Sequence, residues 1–108
     1  MKLITFALLS FVVTSAFAAK TTVKFNPIDA YTGTYFVNSG YGMVVFYAVT
    51  PEGKVVYPNG KNEYVFSKSG TYNITGDSAY NFCYPLSVKV EVDGSDDLIE
   101  VDLPVECE

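Results

Sequence analysis

Two cysteines, a run of carboxylates and nine tyrosines are the side chains of this 108-residue sequence most able to do chemistry, and there is no histidine to help them. The missing imidazole removes the usual general base for a Ser or Cys nucleophile and the commonest metal ligand. Ser67-Lys68-Ser69 offers a formal Ser-Lys pair, but it falls in a predicted turn. Paired carboxylates could hydrolyse a glycoside only inside a cleft deep enough to hold a distorted sugar. Gly-rich phosphate loops are absent. The expectation is a non-enzymatic protein with no cofactor.

Cys83 and Cys107 have no second cysteine near them in sequence, which disfavours a zinc site. In an exported chain two cysteines pair with each other. Closing that loop stabilises the fold by roughly 3 kcal/mol on chain-entropy reasoning.

Charge is distributed unevenly. Ala19 to Val90 carries six lysines and four acids, whereas Glu91 to Glu108 carries eight acids and no lysine. The predicted arrangement is a hairpin of Leu86–Asp93 and Leu98–Leu103 turning at Gly94-Ser95-Asp96-Asp97. Val88, Val90, Val92, Ile99, Val101 and Leu103 would then share one face, with Glu91, Asp93, Glu100 and Asp102 on the other. Like charges facing across strands destabilise by several tenths of a kcal/mol each, so solvent, a cation or a basic partner must offset them. Asp93, Asp96 and Asp97 on a Gly-containing turn could supply oxygen ligands to calcium, although the segment lacks the EF-hand order. A solvated acidic face explains the same residues without a metal, and that is the expectation. The net negative charge excludes nucleic acid as a partner.

Tyrosine offers rigid contact area with a hydrogen-bonding tip, which suits recognition surfaces. Tyr35, Tyr47, Tyr64 and Tyr72 fall within predicted strands and can be core by parity. Tyr31, Tyr41, Tyr57 and Tyr84 lie in turns or at strand ends. Together with Glu91, Asp93, Glu100 and Asp102 they are the candidates for contact with a partner protein. Carbohydrate or calcium binding is the alternative.

These side chains need elements to position them. Lys2, the apolar run from Leu3 to Val13 and the small residues of Thr14-Ser15-Ala16-Phe17-Ala18 read as a secretory signal cleaved after Ala18, too short to span a bilayer. Residues 1–18 are therefore expected to be a signal peptide and 19–108 one domain, secreted or periplasmic, with no membrane insertion after cleavage. Asn73-Ile74-Thr75 is a glycosylation sequon if the source is eukaryotic.

No helical periodicity longer than a turn appears. Strand-like runs recur instead: Lys20–Asn26, ended by Asn26-Pro27; Thr32–Val37; Met43–Thr50, apolar on both faces as in a strand covered on each side; Lys54–Tyr57; Glu63–Ser67; Thr71–Thr75; Tyr80–Tyr84; Leu86–Asp93; and Leu98–Leu103. Pro58-Asn59-Gly60 is the strongest turn signal between them. Two fragments resemble immunoglobulin-type sandwiches. Ser69-Gly70-Thr71-Tyr72-Asn73-Ile74-Thr75 is similar to the Gly-x-Tyr entry into a late strand of bacterial extracellular sandwich modules. Asp77-Ser78-Ala79-Tyr80-Asn81-Phe82-Cys83 is similar to the approach to the second cysteine of antibody-type domains, with Tyr80 three residues before the cysteine rather than two. The resemblance implies architecture and no activity. The expected fold is an all-β, immunoglobulin-like antiparallel β-sandwich of about seven to nine short strands with one disulfide, a small up-and-down β-barrel being the alternative. The expected role is binding a partner protein, as a surface or periplasmic interaction domain or as a secreted inhibitor.

Overall fold

Alternation of buried and half-buried side chains from Thr21 to Asp29 puts Val23, Phe25 and Pro27 on one face of a strand, the period-two pattern of a sheet with one face on a core. The computed structural model describes residues 20–108, so the predicted signal peptide lies outside the described residues. Eight strands follow one another in the described chain: β1 (Thr21–Asp29), β2 (Val44–Val49), β3 (Val55–Val56), β4 (Glu63–Phe66), β5 (Gly70–Ser78), β6 (Cys83–Pro85), β7 (Val88–Val92) and β8 (Leu98–Cys107). A single 3-10 turn at Gly40–Gly42 is the only helical element among the described residues. The strands form two four-stranded sheets, β4-β1-β8-β6 and β3-β2-β5-β7. They pack face to face as a β-sandwich, so the barrel alternative is not adopted.

The core lies between the sheets. Phe25 of β1 meets Phe46 of β2 at 5.0 Å between ring centroids, and Phe66 of β4 stacks on Tyr72 of β5 at 3.8 Å. Ile74, Val90, Val92, Leu103 and Val105 fill the remainder. Each such side chain contributes about 1.5–3 kcal/mol relative to leaving it exposed. At one end of the molecule Cys83 and Cys107 are directly paired residues of β6 and β8, and their sulfurs are bonded. The predicted bridge therefore ties the Cys83 strand to the segment beyond Leu103.

Several expectations are corrected. The predicted acidic hairpin does not form: β7 pairs with β5 in one sheet, while β8 pairs with β1 and β6 in the other. The 93–97 connection arches between the sheets. The side-chain parity holds, because Val90, Val92 and Leu103 are buried as expected, but the two apolar faces confront each other across the core instead of lying side by side. Glu91 and Asp93 therefore leave from one sheet and Glu100 and Asp102 from the other, which relieves the repulsion a shared face would create. The β1–β8 pairing is also parallel, so the sandwich is not wholly antiparallel.

Asn26-Pro27 does not end β1. Phe25 donates its backbone N–H to Asn62, so odd-numbered residues of β1 face β4. The β4 pairing stops at Lys24, and the missing N–H of Pro27 falls where no strand remains to receive it. Thr32–Val37 is a loop, touching the sheet through one bridge between Tyr35 and Ile28. β2 is covered on one side only: in a two-layer fold Val45 stays 48% exposed on the outer face. Pro58-Asn59-Gly60 does turn the chain, yet it carries it from β3 to β4 in the other sheet. Only β2 and β3 are chain neighbours paired in one sheet.

Candidate functional site

The strand directions bring two connections to one end of the sandwich. β1 and β8 run in parallel towards Asp29 and Cys107, while β5 ends at Ser78 opposite the start of β2 at Val44. The 30–43 loop and the 79–82 loop therefore meet beside the disulfide, and a backbone bond from Ala79 to Met43 at 2.9 Å joins them.

Both loops are held by their own chemistry. The Asp29 carboxylate accepts the backbone N–H groups of Tyr31 and Thr32 at 2.8 and 3.0 Å, which holds its pKa below the usual carboxylate value. Phe36 anchors the middle of the long loop in the core. The Asn38 side chain mimics a strand partner for Val44, donating to its carbonyl at 2.9 Å and accepting its N–H at 2.7 Å. Gly42 lies so close to the bridge that a Cβ there would stand 2.9 Å from the Cys83 sulfur. In the shorter loop Ser78 Oγ accepts the Phe82 N–H at 3.1 Å, and Phe82 accepts the Glu108 N–H at 2.9 Å.

This frame displays aromatic rings to solvent. Tyr31, Tyr35 and Tyr41 are 73%, 70% and 79% exposed. Tyr80, Phe82 and Tyr84 from the second loop and β6 are exposed as well. Tyr41 and Tyr80 meet edge to face at 5.9 Å between centroids. With Gly40 and Met43 they line a shallow depression of about 250 Å³. The charged residues of the segments forming this end are Asp29, Asp77, Glu106 and Glu108, with no lysine among them. A lysine-free aromatic surface with an acidic rim suits a partner surface that is apolar at its centre and basic around it.

Of the residues expected to make contact, Tyr31, Tyr41 and Tyr84 are brought to this end. Tyr57 is not: it faces Tyr47 on the outer side of the β3/β2 sheet, 6.5 Å between centroids. Glu91, Asp93, Glu100 and Asp102 are exposed but divided between the two sheets. Glu91 accepts the Thr71 hydroxyl at 2.6 Å, and Asn26 reaches Glu100 at 3.4 Å. Asp93 is turned into its own loop, where the Ser95 hydroxyl and N–H lower its pKa. Asp96 and Asp97 use their backbone carbonyls to hold Thr21 and Thr22. Among the described residues no three Asp, Glu, Cys or His side chains come together as metal ligands do.

Tyr64 and Tyr72 are core, as parity predicts, and Tyr35 and Tyr47 are not. Sequence reasoning missed Tyr35, Tyr80 and Phe82 because it placed all three in strands. The Asn38-Ser39-Gly40 turn just before Tyr41 was the available signal that aromatics were being carried on loops.

No family model matches the chain, and no curated protein matches it either. The disulfide is present, and among the described residues no helix is long and apolar enough to cross a membrane.

Proposed function

We infer that this protein is an exported, non-enzymatic β-sandwich module, secreted or periplasmic, that binds a partner protein through its aromatic loop end. The observation that carries the reading is the gathering of Tyr31, Tyr35, Tyr41, Tyr80, Phe82 and Tyr84 at one end of a rigid frame. Exposed large apolar groups gathered in one place mark interaction sites more often than scattered ones do. Rings held by a framed loop lose little conformational entropy on binding, which favours affinity. The disulfide beside the loops supports the same reading, because it fixes β6 to β8 directly beneath them.

The test is capture by the immobilised protein from extracellular or periplasmic extract, run beside Tyr41→Ser/Tyr80→Ser and a control altered on the opposite surface, Thr71→Ser. A partner held by the wild type and the control but lost by the double variant supports the proposal. Equal capture by all three overturns it. Elution in molar salt would assign most of the interaction to the acidic rim, and resistance to salt would assign it to the rings.

A further inference from the structure

β2 begins at Val44 and β5 ends at Ser78, so Met43 and Ala79 leave one sheet side by side, joined by the backbone bond between them. Beyond that bond the two loops carry Tyr41 and Tyr80, 79% and 58% exposed. Their ring planes stand at 76°, with centroids 5.9 Å apart. Two rings set nearly at right angles make an open corner, and Gly40 and Met43 complete its walls. The space is about 250 Å³, below the roughly 300 Å³ at which small-molecule pockets begin. It suits one inserted side chain.

We propose that this corner seats an arginine side chain of the partner protein, held against the faces of both rings. The inference rests on the loop-end reading and names the group which that end recognises.

Ring geometry carries the first part. The face of an aromatic ring is the negative pole of its quadrupole, and a cation within about 6 Å of the centroid is attracted to it. A cation about 4 Å above one ring, near the edge that meets the other, lies within about 6 Å of both centroids at this separation and angle. A guanidinium fits better than an ammonium, because it is planar, weakly hydrated and able to stack on a ring while its N–H groups stay solvated. Arginine is also enriched at interfaces, where lysine is depleted.

Charge carries the second part. No lysine occurs from residue 25 to 53 or from 69 to 88, the stretches that contain the two loops. Acids bracket the shorter loop instead. Asp77 stands two residues before Ala79, and Glu108 donates its N–H to the Phe82 carbonyl at 2.9 Å. Neither carboxylate has an ion-pair partner among the described residues. A cation approaching the corner therefore meets ring faces and unpaired acids and no like charge. The chain itself contains no arginine, so a second copy cannot supply the group.

The probe is the peptide acetyl-Gly-Leu-Arg-Leu-Gly-amide, titrated into the millimolar range against 15N-labelled protein with its disulfide formed. The expected result is saturating amide shifts at Gly40, Tyr41, Met43 and Tyr80, with Val65 and Thr71 unmoved. Citrulline in place of arginine keeps the shape and removes the charge, and should weaken binding about fivefold or more. Lysine in its place should weaken it at least twofold. Tyr41→Leu/Tyr80→Leu, at exposed positions outside the core, should lower the arginine peptide to the level of the citrulline one. Asp77→Asn/Glu108→Gln should weaken the arginine peptide and leave the citrulline peptide unchanged. Absence of shifts at the corner, arginine binding no tighter than citrulline or lysine, or undiminished binding to the leucine variant would each overturn the proposal. Corner shifts shared equally by the three peptides would end the arginine assignment and leave the loop-end reading standing. Failure of that reading is seen separately, as equal capture of a partner by the wild type and Tyr41→Ser/Tyr80→Ser.

Discussion

Tyr64 and Tyr72 sit in one stacked cluster with Phe66, yet removal of their hydroxyls should move stability in opposite directions. Tyr72 donates its hydroxyl to the Lys68 carbonyl at 2.7 Å. Tyr64 is 4% exposed, and its hydroxyl is buried without a hydrogen-bond partner. A made hydrogen bond of this kind contributes about 0.5–1.5 kcal/mol net, and a buried hydroxyl left unpaired costs about 1–3 kcal/mol. Tyr72→Phe should therefore destabilise by about 1 kcal/mol. Tyr64→Phe should stabilise by a similar amount, since the ring keeps its contacts with Phe25 and Phe66. In a domain of this size 1 kcal/mol moves Tm by about 4–8 °C. Thermal melts at pH 7, with urea titrations to confirm an unchanged slope, read both variants. The two phenols share one pH consequence. Burial raises both pKa values above the ordinary tyrosine value of 10.0. The unfolded chain loses those protons first, so this contribution is complete below pH 10 and is lost as pH rises further. Tyr64→Phe should flatten that alkaline decline. A drop in Tm for Tyr64→Phe as large as for Tyr72→Phe would refute the reasoning, because it would mean the Tyr64 hydroxyl has a partner.

Replacing the bridge by Cys83→Ala/Cys107→Ala frees a loop with a sequence separation of 24. It should cost about 3 kcal/mol, read as a fall in Tm of at least about 12 °C. Gly76→Ala would place a Cβ 2.6 Å from the Val45 carbonyl oxygen and 3.1 Å from the Phe46 Cα, both backbone atoms of β2. Forcing β2 and β5 apart should destabilise by about 2 kcal/mol, again read by melting. Calcium should raise Tm no more than sodium chloride at matched ionic strength, because the Asp93 carboxylate is held by Ser95 and no three acidic side chains come together among the described residues. A calcium-specific rise of several degrees that disappears in Asp96→Asn/Asp97→Asn would contradict this.

Side-chain parity was legible in β1, β7 and β8 but not in β2, where both faces read as core, and partner choice was not legible. Val90, Val92 and Leu103 point inward whether β7 and β8 form a hairpin or arch over the core. Asp93 to Asp97, with Gly94 at φ 84°, serves either turn. The same ambiguity affects Pro58-Asn59-Gly60 and Lys68-Ser69-Gly70, whose turn chemistry fixes a reversal of the chain but not the sheet it reaches. Pro27 misled for a different reason: a proline forbids a hydrogen bond only where a neighbour would receive one, and β4 has ended there. The disulfide followed from the cysteine count and the expected export signal alone. Tyr31, Tyr41, Tyr57 and Tyr84 were singled out as lying in turns or at strand ends, and all but Tyr57 stand at the aromatic end. Tyr35 and Tyr80 were hidden because loop residues with strand-like composition carry no sequence mark of exposure.

Amide hydrogen exchange on the captured complex tests the loop-end account most directly, since it reads the surface without altering a residue. With the partner bound, protection should rise across residues 30–43 and 79–86 and stay unchanged at 50–54, 67–69 and 93–97, which form the opposite end. Protection confined to that opposite end or to the outer face of β5 and β7, with the aromatic loops exchanging as in the free protein, would contradict it.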